Sequence, residues 1–189
     1  MLKISLFILI LLLSTLSLSA QSLSDINLVD AVTGKSIKIQ NEVKGRGLIL
    51  IFQTLDCPFG KMYESRIIAL RSKYTSQGFN FILVDPGTKD DPTSMKNYID
   101  ESGINTPFLL DSEFSLTTHF GITKIPEVVV LTPVSGGASI RYRGAIDNNA
   151  QAEGSANSRF LDNALDQLLK GEDPVPSQAR PVGCNVRAF

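Results

Sequence analysis

The sequence contains no tryptophan, one histidine and two cysteines in 189 residues. So few imidazoles and thiols exclude a multi-cystine scaffold, and a four-ligand zinc centre unless carboxylates complete it. Charge of neither sign dominates, with 18 Lys and Arg against 19 Asp and Glu. A protein that grips nucleic acid through a basic surface is therefore not expected. There is no internal repeat and no low-complexity block. The one long apolar run, Leu6–Leu13, falls short of the roughly 20 residues that a membrane-spanning helix needs.

That run has a different meaning. Lys3 precedes it and the small residues Ser17-Leu18-Ser19-Ala20 follow it, the order of a secretory signal peptide. Residues 1–20 are therefore expected to be a removable leader, leaving an exported protein, periplasmic or secreted, with no membrane span after cleavage. Residues 21–171 have the length of one domain, and residues 172–189, with three prolines, read as an extended tail. Outside the cytosol two thiols can stay oxidised. Cys57 and Cys184 can pair with each other, stay free, or join another chain.

Between leader and tail the hydrophobic period alternates. Weak alternation over residues 25–46, interrupted at Gly34, predicts a β-hairpin. Leu48-Ile49-Leu50-Ile51-Phe52 is too short for a helix and predicts a strand buried on both faces. Phe59, Tyr63, Ile67, Leu70 and Tyr74 then recur at helical spacing behind Pro58, which suits a first turn. Phe79–Val84 is a second strand, Pro92 opens a short helix, Phe108–Leu110 is a short strand, and Asp111 is placed to cap a helix through Phe120. Val128–Leu131 is another buried strand. Ile140 and Tyr142 alternate with Arg141 and Arg143 as in a strand with one solvated face, and Phe160 to Leu169 form the last helical stripe. This order predicts an α/β layered fold.

The chemistry concentrates at Phe52-Gln53-Thr54-Leu55-Asp56-Cys57-Pro58-Phe59-Gly60. A buried strand ends there, and Cys57 sits where the next helix begins. Free N–H groups and the positive end of the helix dipole stabilise a thiolate at that position. The neighbouring Asp56 carboxylate pushes the other way.

Strand, Cys-Pro and helix, with a distant Ile125-Pro126 ahead of a Val-rich strand, resemble the thioredoxin-like superfamily. The chain is more narrowly similar to the exported redoxins that include alkyl hydroperoxide reductase and thiol-specific antioxidant proteins. Tyr142-Arg143-Gly144-Ala145-Ile146-Asp147 and the late Gly183-Cys184 add to the likeness, which covers about residues 25–187. The resemblance implies a central mixed sheet flanked by helices, with an N-terminal hairpin and an extended tail. It also implies a cis Pro126 facing Cys57, with Pro58, Ile125 and Pro126 lining the substrate side. Thr54, three residues before Cys57, matches the Thr or Ser of peroxiredoxins. Three positions depart from these families. Gly60 replaces the second Cys of Cys-x-x-Cys, Leu50 stands where peroxiredoxins have Pro, and no Arg lies near Ile125-Pro126. Lys61, Lys124 and Arg143 are the cations that could replace it.

Cys184 is the other candidate. The thirteen residues from Gly171 to Cys184 reach roughly 40 Å if extended, enough to bring it to Cys57. The expectation is an exported thiol-dependent oxidoreductase in which Cys57 attacks a disulfide or peroxide and Cys184 or an external thiol resolves the intermediate. Its partners would be protein or small-molecule thiols, disulfides or peroxides, and no cofactor or metal is called for. The alternative is a non-catalytic thioredoxin-like binding module with structural cysteines. His119 is expected to be structural, Asp147-Asn148-Asn149 a polar turn, and Arg141 and Arg143 a solvated strand face.

Overall fold

The computed structural model describes residues 22–87 and 90–186. The leader expected at residues 1–20 lies outside the described residues. Strand β1 (Asn27–Asp30) and β2 (Ser36–Lys38) form the expected hairpin, and a short helix α1 (Ile39–Glu42) follows it directly. Next come β3 (Gly47–Phe52), α2 (Pro58–Thr75), β4 (Phe79–Asp85), α3 (Pro92–Ser102) and β5 (Phe108–Leu110). After them stand α4 (Ser115–Phe120), β6 (Lys124–Ile125), β7 (Glu127–Val134), β8 (Gly137–Gly144), α5 (Phe160–Leu169), β9 (Gln178–Ala179) and β10 (Cys184–Asn185). The main sheet runs β2-β1-β5-β4-β3-β7-β8-β9, and β10 pairs with β6 beside it.

β3 lies parallel to β4 and antiparallel to β7, so the sheet is mixed. All six β3 residues are buried, because helices cover both faces. Ile49 and Ile51 face Tyr63 and Ile67 of α2, Met95 and Ile99 of α3 and Leu161 and Leu165 of α5. Leu48, Leu50 and Phe52 face Ile39 of α1 and Leu116 and Phe120 of α4. Each such side chain buried contributes about 1.5–3 kcal/mol. The continuous apolar run in the sequence is this two-sided burial.

Several expectations need correction. β8 does not alternate along its whole length. The register with β7 slips between Val130 and Leu131, so Tyr142 pairs with Val130 while Ile140 pairs with Leu131. One extra residue turns the face over, leaving Tyr142 buried and Ile140 52% exposed. Arg143 is not simply solvated: its Nε donates to the buried Glu127 at 2.5 Å and its Nη2 to the Gly121 carbonyl at 2.8 Å. Asp111 supports α4 from a distance rather than at the N-cap position. Its carboxylate accepts from Leu116 N–H at 3.2 Å and Thr117 N–H at 2.8 Å, with Phe114 at the cap in the left-handed region. Asp147 is no ordinary polar turn. It is buried and accepts from Arg66 at 2.5 Å and from the Tyr63 hydroxyl at 3.1 Å. Arg66 also donates to the carbonyls of Asn149 and Ala150, tying α2 to the loop ahead of α5. Burial and the Asp147 charge push the Tyr63 hydroxyl pKa well above its ordinary value.

The tail is paired as well as extended. Gln178–Ala179 adds a parallel edge to β8, and Cys184–Asn185 pairs antiparallel with β6. Two glycines permit this close approach. A Cβ on Gly144 would overlap the Ala179 carbonyl, and one on Gly183 would overlap the Ile125 carbonyl.

Candidate redox site

The loop between β3 and α2 delivers Cys57 to the N-cap position of α2, with Pro58 in the first turn. The side chain caps nothing, and Gly60 N–H turns back to the Cys57 carbonyl at 3.0 Å. Cys57 is buried, 3% exposed. Across from it the Ile125-Pro126 peptide is cis. The Ile125 carbonyl oxygen lies 3.7 Å from Cys57 Sγ, an acceptor for the thiol once the sulfur is reduced.

Cys57 is bonded to Cys184, with Cα atoms 6.1 Å apart in space and the two residues 127 positions apart in the chain. Register explains the meeting: Cys184 pairs with Ile125 and Asn185 with Lys124, and Val186 N–H continues the ladder to the Thr123 carbonyl at 3.0 Å. The tail thus lays an extended cysteine-bearing segment along β6, at the edge facing Cys57.

A cavity of about 430 Å³ opens beside the bond, lined by Thr54, Asp56, Cys57, Asp85, Asp90, Ile125, Cys184 and their loop neighbours. Thr54, Cys57, Ile125 and Cys184 are therefore brought together, while Pro58 and Pro126 adjoin them along the backbone. The Thr54 hydroxyl donates to Asp56 at 2.5 Å, so its proton is directed to a carboxylate. The candidate cations stand elsewhere. Lys61 pairs with Glu64 at 2.8 Å, Arg143 pairs with Glu127, and neither they nor Lys124 line the cavity. Gly60 is closely packed, with the Thr54 carbonyl 3.4 Å from where a Cβ would sit. His119, on α4, is exposed and stacks edge-on against Phe120, away from the cavity lining.

Sequence reasoning missed the acids of this cavity. Asp85, at the end of β4, is 1% exposed, and its carboxyl makes no well-formed hydrogen bond among the described residues, the nearby Gly87 N–H giving it only partial support. Burial, then the charge and carboxyl contact of Asp90, push its pKa up to about 8. Asp90 in turn accepts the Leu55 N–H at 2.6 Å, which holds the loop carrying Cys57. The sequence signal was present but weak: an acidic residue closing an otherwise apolar strand, followed by Asp90-Asp91.

Comparisons with known proteins agree with this architecture. The AhpC/TSA family profile matches residues 20–147. An uncharacterized conserved protein from Geobacillus kaustophilus superposes with TM-score 0.77 at 22% identity, covering 87% of this chain and 88% of its own. A hypothetical protein from Sinorhizobium meliloti does so with TM-score 0.76 at 20% identity, covering 92% and 97%. A secreted disulfide oxidoreductase from Mycobacterium tuberculosis matches with TM-score 0.54 at 15% identity, covering 79% and 96%. No curated protein matches significantly. With a mixed thioredoxin-like sheet, a cysteine at the start of α2 and the family profile across most of the chain, this protein belongs to the AhpC/TSA family.

Proposed function

We propose that the protein is an exported thiol–disulfide oxidoreductase in which Cys57 is the nucleophile and Cys184 the resolving cysteine. The observation that carries the reading is the Cys57–Cys184 bond itself, placed at a helix N-terminus and beside an open cavity. In the reduced protein the Cys57 thiolate attacks a substrate disulfide, whose S–S bond breaks as a mixed disulfide forms. Cys184 then attacks Cys57 Sγ, forms the bond seen here and releases the substrate as a dithiol. An external dithiol returns the pair to the reduced state, so sulfur supplies all the redox chemistry.

Disulfide exchange is favoured over peroxide reduction by one contact: the Thr54 hydroxyl is directed to Asp56, so its proton is committed to a carboxylate. Export rests on the leader pattern of residues 1–20, and an oxidising compartment suits a persistent disulfide. No described helix is long and apolar enough to cross a membrane.

Trapping tests the assignment. Reduced Cys184→Ser protein, mixed with an oxidised dithiol peptide, should accumulate a mixed disulfide on Cys57, whereas Cys57→Ser protein should not. Failure of the Cys184→Ser protein to trap peptide, with no disulfide exchange by the wild-type protein, would favour a binding module held by a structural cystine.

A further inference from the structure

Two of the cations singled out in the sequence, Lys124 and Arg143, stand together away from the redox cavity. Lys124 of β6 and Arg143 of β8 line a second cavity of about 480 Å³ with Glu127 and the tail residues 178–181, which bring Arg180 to them. Three cations and one anion face this space, an excess of two positive charges. The anion is already committed, since Glu127 is 3% exposed and accepts from Arg143 Nε at 2.5 Å. Arg143 Nη2 donates to the Gly121 carbonyl at 2.8 Å. Two contacts therefore fix the guanidinium while its side chain stays 33% exposed. Among the described residues no ion pair uses Lys124 or Arg180. Like charges gathered round one cavity repel, and an anion placed among them offsets that cost.

The tail wall of this cavity is held only at its ends. On one side β8 secures it, with Arg143 N–H donating to the Ser177 carbonyl at 3.0 Å and Ala145 N–H to the Ala179 carbonyl at 3.1 Å. On the other side Cys184 pairs with Ile125. Between them, among the described residues, no backbone hydrogen bond holds residues 180–183. Arg180 thus opens an unpaired span that ends at Cys184.

We propose that this second cavity binds a small doubly charged oxyanion, phosphate or a phosphate monoester, and that the bound anion favours the oxidised Cys57–Cys184 pair by holding the tail in place. Two excess positive charges suit a dianion, and the guanidinium fork matches a pair of phosphate oxygens. The anion joins Arg180 on the tail to Lys124 and Arg143 on the body of the domain. It therefore binds the seated tail more tightly than the released one. Linkage is reciprocal, so the disulfide is stabilised by the anion as much as the anion is held by the seated tail. The site lies outside the exchange chemistry and stands whether the cysteine pair works as a catalyst or as a staple.

Calorimetric titration of the full chain at pH 8, at ionic strength matched with chloride, tests the site with inorganic phosphate and separately with glycerol 3-phosphate. One equivalent should bind the oxidised protein about tenfold more tightly than protein reduced by dithiothreitol. The tighter of the two probes distinguishes a free ion from an esterified phosphate. In buffers of uncharged dithiothreitol, saturating phosphate should then favour the disulfide about tenfold, a shift of about 30 mV to more negative potential. Arg180→Gln, at an exposed tail position, should abolish both effects, and Arg180→Lys should restore part of each. Phosphate that binds no better than chloride, or as tightly to Arg180→Gln as to wild type, overturns the site. Equal affinity for oxidised and reduced protein overturns its coupling to the tail.

Discussion

Two buried acids of this protein, Asp147 and Asp85, contrast in how their charge is met. Arg66 and Asp147 are both buried and meet at 2.5 Å, with further carbonyls around the guanidinium. Removing one partner leaves an uncompensated buried charge at a cost of about 3–5 kcal/mol. Arg66→Ala should therefore lower Tm by about 6–20 °C, at roughly 2–4 °C per kcal/mol for a chain of this size, and calorimetry reads it directly. Asp85 behaves oppositely. Its carboxyl binds a proton more tightly in the folded protein, up to about pH 8, than in the unfolded chain near pH 4. The folded state then holds more protons across that window, so its contribution to stability falls as pH rises from about 4 to 8. Asp85→Asn should accordingly gain in Tm over wild type as pH is raised through this range, and a constant difference would contradict the burial argument. Neither site was legible in sequence. Arg66 sits among the apolar positions of its helix, Asp85 ends an apolar strand, and their environments are built by residues far along the chain.

At the scale of elements, β3, α2, β4 and the other long segments were legible, because local periodicity reports which faces are covered. Cys57 at the head of α2 was legible for the same reason. What could not be read were pairings decided at long range: the β7–β8 bulge that exposes Ile140, and the two short strands of the tail. A single register residue or a two-residue strand leaves almost no periodic signal. The tail's seat on β6 depends on Gly183, whose position leaves no room for a Cβ against the Ile125 carbonyl. Gly183→Ala should push β10 off its partner and lower the oxidised fraction at a fixed glutathione ratio, counted by thiol titration. Gly154→Ala, where nothing lies within 4 Å, should leave that fraction unchanged. Equal oxidation of the two variants would mean that the β6–β10 ladder does not position Cys184.

For the whole molecule, the Cys57–Cys184 bond connects a helix at the sheet's centre to the last described strand, 127 positions away. In a chain-entropy treatment a loop of that length can stabilise the folded state by roughly 5 kcal/mol. That gain is realised only if the fold favours the bond. Two features work against it. Reduction frees the tail from a two-residue ladder and restores backbone entropy of about 1–2 kcal/mol per residue released, and the helix N-terminus stabilises a Cys57 thiolate. A redox-active pair should therefore show a modest loss of Tm on reduction, well under the 10 °C or more that a full loop-closure effect implies. The same thermodynamic cycle makes the reduction potential the most direct measure of the central claim. Equilibrating the protein in glutathione and dithiothreitol buffers and counting the Cys57–Cys184 bond by mass should give a value well above about −300 mV. A potential below that value, with a large loss of stability on reduction, would show the bond to be a staple and would contradict the assignment of Cys57 as a working nucleophile.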